Sequence, residues 1–231
     1  MKTVVVVSGG MDSVTLLHKV VKENGAENVK AISFNYGQVH VKELKCAKWQ
    51  CEQLEVEHIV VDLTNLSHLL PSTLTNVGEV PKGHYESESM KKTVVPFRNS
   101  IMATIAMGYA SGLGYDAIAL GVHSGDHFIY PDCRPEFMAV LRLQCFLGDF
   151  KSLKLYVPFE YSDKTAIIKE GLELGVDYAH TWTSYSDTLD YTTGSSVERN
   201  QAFIANGIKD PLYTDEEWEK AKEYATSVVK E

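Results

Sequence analysis

Apolar and β-branched residues gather into short runs, and each run leads into a stretch with helical spacing. Residues 3–7 (Thr-Val-Val-Val-Val) read as a buried strand; Val14, Leu17 and Val21 then mark one face of a helix over about 13–24. The alternation continues with strand 29–34 and a helix over 39–54, then a short strand at 58–61. A helix over 99–112 precedes strand 117–121, a helix over 135–147 precedes strand 153–157, and a helix over 163–174 follows. The last helix begins at Thr214-Asp215-Glu216-Glu217, a capping-box start, and runs to about 229. The pattern predicts an α/β fold, a doubly wound and mostly parallel sheet with right-handed crossovers and a small C-terminal helical extension. Residues 64–93 carry Pro71, Gly78, Pro81 and Gly83 and no sustained period, so they are read as a functional segment such as a lid, or else as a mobile one.

At 231 residues and 44% apolar content, the chain is read as a single domain, 1–231, with a real core. A formal charge of -9 argues against a broad polyanion-binding face, so no nucleic-acid partner is expected. The first apolar run is too short for a signal peptide or a membrane span, and no other stretch qualifies. The expectation is a cytoplasmic protein with no membrane partner. Cys46 and Cys51 sit about 140° apart on their predicted helix and cannot share a metal from there. Cys51 joins Leu44, Ala47 and Leu54 on an apolar stripe, and Cys145 lies in the apolar run 141–147, so both read as core residues.

The first strand runs directly into Ser8-Gly9-Gly10-Met11-Asp12-Ser13. Glycines let the backbone approach a polyanion, and the following helix aims its free N–H groups at the same point. Asp12 or Ser13 is expected to cap that helix. No Walker loop and no Gly-x-Gly-x-x-Gly fingerprint occur. The hexapeptide resembles instead the SGGxDS loop of the ATP pyrophosphatase (PP-loop) family. That resemblance implies cleavage of ATP between its α and β phosphates, with AMP transferred to an oxygen of the substrate.

In doubly wound sheets ligands sit at the carboxyl ends of the strands, and polar residues collect there. Phe34-Asn35-Tyr36-Gly37-Gln38 follows one strand, with His40 and Glu43 beyond it. Gly121 through Asp126 and His127 follow another, then Tyr130-Pro131-Asp132-Cys133-Arg134-Pro135. Lys164 stands in the first turn of a helix, where it opposes the dipole unless its side chain reaches an anion. Arg98 precedes a helix and can pair with phosphate or carboxylate. His123 and His127 do not share a helix, because Gly125 lies between them, so they are read as lining a polar pocket rather than holding a metal.

Ser8–Ser13, Phe34-x-Tyr36-Gly37-Gln38-x-His40, Val95-Pro96-x-Arg98-Asn99, the Tyr130–Pro135 string with Phe137, and Thr181-Trp182 together resemble the QueC family. The resemblance covers nearly the whole chain. It implies ATP and Mg²⁺ as cofactors and 7-carboxy-7-deazaguanine as substrate. The carboxylate would be adenylated, converted by ammonia to an amide, and adenylated again to leave a nitrile. On this reading Asp12, Ser13, Lys164 and Arg98 carry the chemistry. Ser8, Gly9, Gly10, Phe34 and Gln38 join Asp12 and Ser13 in holding ATP. Tyr36, Asn99, His123, Asp126, Tyr130, Asp132 and Arg134 join Arg98 around the base, Asp126 placed to accept from a guanine-type edge. Asp132 and Arg134 can alternatively fix their loop by pairing internally. A homodimer is expected.

One part of the family pattern is missing. The resemblance implies a four-cysteine zinc site near the C-terminus, but these positions fall here on Ser184, Asp190, Thr193 and Ser196. No zinc is therefore expected, and 181–200 is read as a remnant of that segment, held by Trp182, Tyr185 and the substituted side chains. The expected activity is therefore an ATP-dependent, AMP-forming ligation that gives an amide-bonded product more readily than the nitrile, with an amine of a partner protein, as in antiphage defence, as one acceptor. The alternative is that a Ser/Thr/Asp cluster replaces the zinc and leaves nitrile synthesis intact. A silent nucleotide- or base-binding module and a tRNA-modifying enzyme are the competing readings; the acidic balance weighs against the latter.

Overall fold

The computed structural model describes residues 1–38, 42–69, 72, 82–184 and 188–228. Among them, five strands form one sheet in the order β3-β2-β1-β4-β5, every neighbouring pair parallel. They are β1 (Thr3–Val6), β2 (Val29–Asn35), β3 (Glu57–Asp62), β4 (Ala117–Ala119) and β5 (Lys154–Tyr156). The central strand explains why its sequence is an unbroken apolar run. Val4, in register with Ile118, faces the core under α3 (Arg98–Gly112) and α4 (Pro135–Leu147). Val5, in register with Ala31 and Ala119, faces the opposite core. That second layer holds α1 (Met11–Asn24), α2 (Lys42–Gln53), α5 (Lys164–Glu173), α6 (Gly194–Ala205) and α7 (Asp215–Ser227). A strand covered on both faces has no polar side to show.

The doubly wound α/β architecture is the one predicted, with several boundaries corrected. Helix α1 begins at Met11 rather than 13, and its cap is Gly10 with no side-chain bond. Asp12 and Ser13 therefore lie inside the first turn instead of capping it. Strand β4 ends at Ala119, which leaves Leu120 and Gly121 to the loop. Asp163, not a helical residue, caps α5 by accepting from Ala166 N at 2.7 Å. The capping box at Thr214 and Glu217 is present at the start of α7.

Helix α6 had no counterpart in the hydrophobic pattern. Its buried face carries Ser195, Ser196, Arg199 and Asn200 beside Val197 and Phe203. Those polar side chains hide the period of a core-facing helix. Within 64–93 the described parts form short 3₁₀ turns at Thr64–Leu69 and Glu88–Thr93, with Tyr85 and Met90 buried. The end of this stretch packs into the domain; residues 70–71 and 73–81 of the expected lid lie outside the described residues. No described helix is long and apolar enough to cross a membrane.

Candidate functional site

In the strand order 3-2-1-4-5, the chain runs outward from β1 through β2 to β3 and then crosses back to β4 on the other side of β1, which opens a crevice at the carboxyl ends of β1 and β4. A cavity of about 220 Å³ opens there, room for a bicyclic ring. Its floor is Val6, Val7, Leu120 and Val122, and its polar wall begins with the loop after β1.

That loop is closed by its own hydroxyls. Ser13 Oγ donates to Gly10 O at 3.0 Å and accepts from Ser8 N at 3.1 Å; Ser8 Oγ accepts from Gly10 N at 3.2 Å. Gly9 has φ +98°, and a Cβ there would lie 1.9 Å from the carbonyl oxygen of Glu43. Only glycine lets α2 press on the loop this closely. Trp182 N donates to Gly9 O at 3.0 Å, which ties the C-terminal segment to the same turn. The first N–H groups of α1 point out of this cradle, where a phosphate would meet them.

Four charged side chains from four elements converge beside the loop. Lys164 Nζ, at the start of α5, lies 2.6 Å from Glu198 Oε2 and 3.4 Å from Asp12 Oδ2. Burial works against the lysine's charge, but Asp12, Glu198 and Asp126 outweigh it and push its pKa above the ordinary value. His123 is buried beneath the wall. Its Nδ1 accepts from Gly125 N at 3.1 Å, which puts the ring proton on Nε2, 3.7 Å from Asp12 and 3.5 Å from Asp126. Asp126 also accepts the Tyr85 hydroxyl at 2.7 Å. Burial disfavours its charge, yet His123, Lys164, Tyr85 and Arg98 together hold its carboxyl below the ordinary range.

Asp12 Oδ1 is buried and has no hydrogen-bond partner among the described residues. An unsatisfied carboxylate oxygen at a phosphate cradle suits Mg²⁺, which binds through one or two carboxylates and completes its shell with phosphate oxygens and water.

The far wall is aromatic and basic. Arg98 opens α3, and its guanidinium carbon lies 5.7 Å from the centre of the Tyr130 ring. It follows Phe97, an exposed residue held at φ +55°, a strained conformation for a bulky side chain at the point where the chain turns Arg98 into the cavity. Asn99 N donates to Asp132 Oδ2 at 2.9 Å, so Asp132 caps α3 from another loop. Phe34, Tyr36 and Glu43 close the side toward β2. Burial raises the Glu43 carboxyl to about 7, against the opposing pull of Arg98 and Gln38.

The family described as "Queuosine biosynthesis protein QueC" matches residues 2–207. The chain belongs to the QueC family. It is 46% identical over 214 residues to 7-cyano-7-deazaguanine synthase 1 of Colwellia psychrerythraea, covering 91% of this chain and 97% of that one. It is 48% identical over 212 residues to the 7-cyano-7-deazaguanine synthase of Marinobacter nauticus, covering 90% and 95%. Among solved structures, the NH3-dependent NAD synthetase of Campylobacter jejuni is 13% identical with a TM-score of 0.48, over 97% of this chain and 83% of that one.

Most residues expected of a QueC-family site line this one cavity: Ser8, Gly10, Asp12, Ser13, Phe34, Tyr36, Arg98, Asn99, Asp126, Tyr130 and Lys164. Gly9, Gln38, His123, Asp132 and Arg134 stand behind it. Gln38 braces the turn, its Oε1 on Tyr36 N at 2.8 Å and its Nε2 on Phe34 O at 3.1 Å and Glu43 Oε1 at 3.2 Å. His123 thus supports the carboxylates from below instead of lining the pocket. Arg134 donates to His127 O at 3.0 Å, so the internal pairing considered for Asp132 and Arg134 is replaced by separate partners. His40 lies outside the described residues. Sequence reasoning missed Tyr85, Ser195 and Glu198. The first sits in a stretch without period, and the others on the helix whose pattern was hidden.

The positions expected to lack zinc form local hydrogen bonds. Thr193 caps α6 and donates to Ser196 Oγ at 2.9 Å; Ser184 Oγ donates to Thr188 O at 3.2 Å; Asp190 Oδ1 accepts from Thr192 N at 2.9 Å. Hydroxyls and one carboxylate do not fit a structural Zn²⁺ site, which takes Cys or His. No group of three or more His, Cys, Asp and Glu able to hold a metal occurs among the described residues. Arg199 cross-links the segment. It grips Asp210 through Nε at 2.5 Å and Nη2 at 2.8 Å, and reaches Thr181 at 2.7 Å and Tyr178 O at 3.1 Å. Trp182 is buried there; Tyr185 lies outside the described residues.

Proposed function

We propose that this QueC-family protein makes 7-cyano-7-deazaguanine from 7-carboxy-7-deazaguanine and ammonia, with AMP and pyrophosphate as the ATP products. The observation that carries the reading is the single cavity that joins a phosphate cradle to an aromatic wall with a cation on each side, Lys164 and Arg98. Its relatives' names supply the product, and the carboxylate precursor follows from the family resemblance.

A carboxylate is a poor electrophile and must gain a leaving group. In the first step a substrate carboxylate oxygen bonds to the α phosphorus of ATP, and the bond to pyrophosphate breaks. The Ser8–Ser13 loop and the α1 N-terminus hold the phosphates, while Lys164 neutralises the charge that builds on the departing pyrophosphate. Arg98 steadies the substrate carboxylate, with Tyr36 and Tyr130 against the ring. Ammonia then bonds to the acyl carbon, AMP leaves and a proton is lost. A second ATP then adenylates the amide oxygen and releases pyrophosphate; the C–O bond breaks, AMP leaves, and the nitrogen gives up both its protons as the nitrile forms. Mg²⁺ on Asp12, when bound, adds Lewis-acid stabilisation of the phosphate oxygens.

The test is incubation with ATP, 7-carboxy-7-deazaguanine and ammonium, read by mass spectrometry and nucleotide chromatography. Nitrile with AMP and pyrophosphate is expected; ADP and phosphate, or no turnover, overturns the proposal. A second reading rests on Ser184, Asp190, Thr193 and Ser196. Altered architecture beside the site would favour an amide-bonded product, made with ammonia or an amine of a partner protein. Amide accumulating with one AMP per product supports that reading over the first.

A further inference from the structure

Three carboxylates line the cavity: Asp12 belongs to the phosphate cradle beside Lys164, and the other two differ in what already occupies them. Asp126 has Tyr85 on Oδ1 at 2.7 Å and His123 Nε2 3.5 Å from Oδ2. Glu43 accepts one bond, from Gln38 Nε2 to Oε1 at 3.2 Å, and no described residue donates to its Oε2. It is also firmly placed. Gln38 is fixed by Tyr36 N and Phe34 O, and the Glu43 carbonyl is pressed on Gly9. A half-buried acceptor that lines the cavity with an oxygen to spare is suited to a ligand's N–H group.

We propose that Glu43 reads the N–H donor edge of the substrate ring and thereby selects a guanine-type base over an adenine-type one. This deepens the reading above and rests on it. A carboxylate only accepts hydrogen bonds. A guanine-type edge sets a ring N–H beside an amino group, two adjacent donors. An adenine-type edge sets an acceptor nitrogen beside its amino group and repels the second carboxylate oxygen. The titratable and charged groups that Glu43 feels are Arg98 from α3, Tyr36 at the end of β2 and Cys46 on α2. With its carboxyl raised to about 7 by burial, Glu43 is partly protonated at neutral pH. A ring that donates to the carboxylate must displace that proton, so binding tightens as pH rises through this value.

The experiment is calorimetric titration of 7-carboxy-7-deazaguanine into the wild type and Glu43→Gln, each saturated with a non-hydrolysable ATP analogue, at pH 6 and pH 8. The wild type should bind about tenfold more tightly at pH 8 than at pH 6. Glu43→Gln, which keeps an acceptor for Gln38, should bind the base about tenfold or more weakly at pH 8, without the pH slope, and bind the ATP analogue as the wild type does. Wild-type affinity and slope in the variant overturn the proposal, as does loss of the ATP analogue in place of the base. A wild type that binds no base at either pH overturns the functional reading as well, an outcome distinct because it needs no variant.

Discussion

Lys164 Nζ donates to Glu198 Oε2 at 2.6 Å across 34 residues of chain. The pair joins the first turn of α5 to the one helix that the hydrophobic pattern concealed. A cation that opposes its own helix dipole is thus held by a carboxylate from α6 and turned toward Asp12 at the phosphate cradle. Lys164→Met removes the cation and leaves three carboxylates, Asp12, Asp126 and Glu198, facing one another. Pyrophosphate release from ATP should fall by about ten- to a hundredfold, the equivalent of one lost charge-assisted contact. Steady-state kinetics check this, with a melting curve to confirm a folded variant; unchanged turnover would remove Lys164 from the mechanism.

Arg98 has a different task. It stands on the aromatic wall, away from the cradle, so Arg98→Ala should weaken the carboxylate-bearing substrate more than ATP. A loss of about 1.5–3 kcal/mol in kcat/KM for the base, with KM for ATP little changed, is expected. Equal losses for both substrates would place Arg98 on the phosphates instead.

Stability should respond to Arg199. Asp210 is fully buried and Arg199 nearly so, and their bidentate contact also anchors Thr181 and Tyr178. Arg199→Met strands an unpaired buried carboxylate and should cost about 3–5 kcal/mol in denaturant unfolding. A smaller loss would mean that water reaches Asp210.

Glu43 predicts a pH dependence of stability with a definite sign. Its carboxyl titrates near 4.5 when unfolded and near 7 when folded, so the folded chain binds more protons between those values. Stability from this group is therefore greatest at low pH and declines as pH rises through that window. Glu43→Gln should melt higher than the wild type at pH 8, with the advantage vanishing by about pH 4. Parallel melting curves at both pH values would contradict the burial of this carboxylate.

For the segment 181–200, added chelator should leave the melting temperature unchanged, since its positions carry hydroxyls and hydrogen bonds where a metal site would need thiolates. Thr193→Val should lower stability by about 1 kcal/mol through loss of the α6 cap. Stoichiometric zinc by elemental analysis, with a chelator-sensitive melt, would show that other ligands hold the metal.

The sequence by itself determined the layer architecture and the location of the site. The run Val4–Val7 must be covered on both faces, Ser8–Ser13 must be a turn between strand and helix, and polar residues cluster after strands because only loops can leave them accessible. Asp12, Arg98, Tyr130 and Lys164 were legible for that reason. Tertiary structure decided what those residues touch. Glu198 and Ser195 come from α6, whose buried face is polar because it carries Ser195, Ser196, Arg199 and Asn200, so no apolar period announced the helix. Glu43 gained its role from the close approach of α2 to Gly9, and His123, Asp132 and Arg134 became supports rather than wall. Periodicity records which face of an element is buried against apolar neighbours. It carries no record of which distant carboxylate will meet a lysine, because that distance is fixed only when the layers pack.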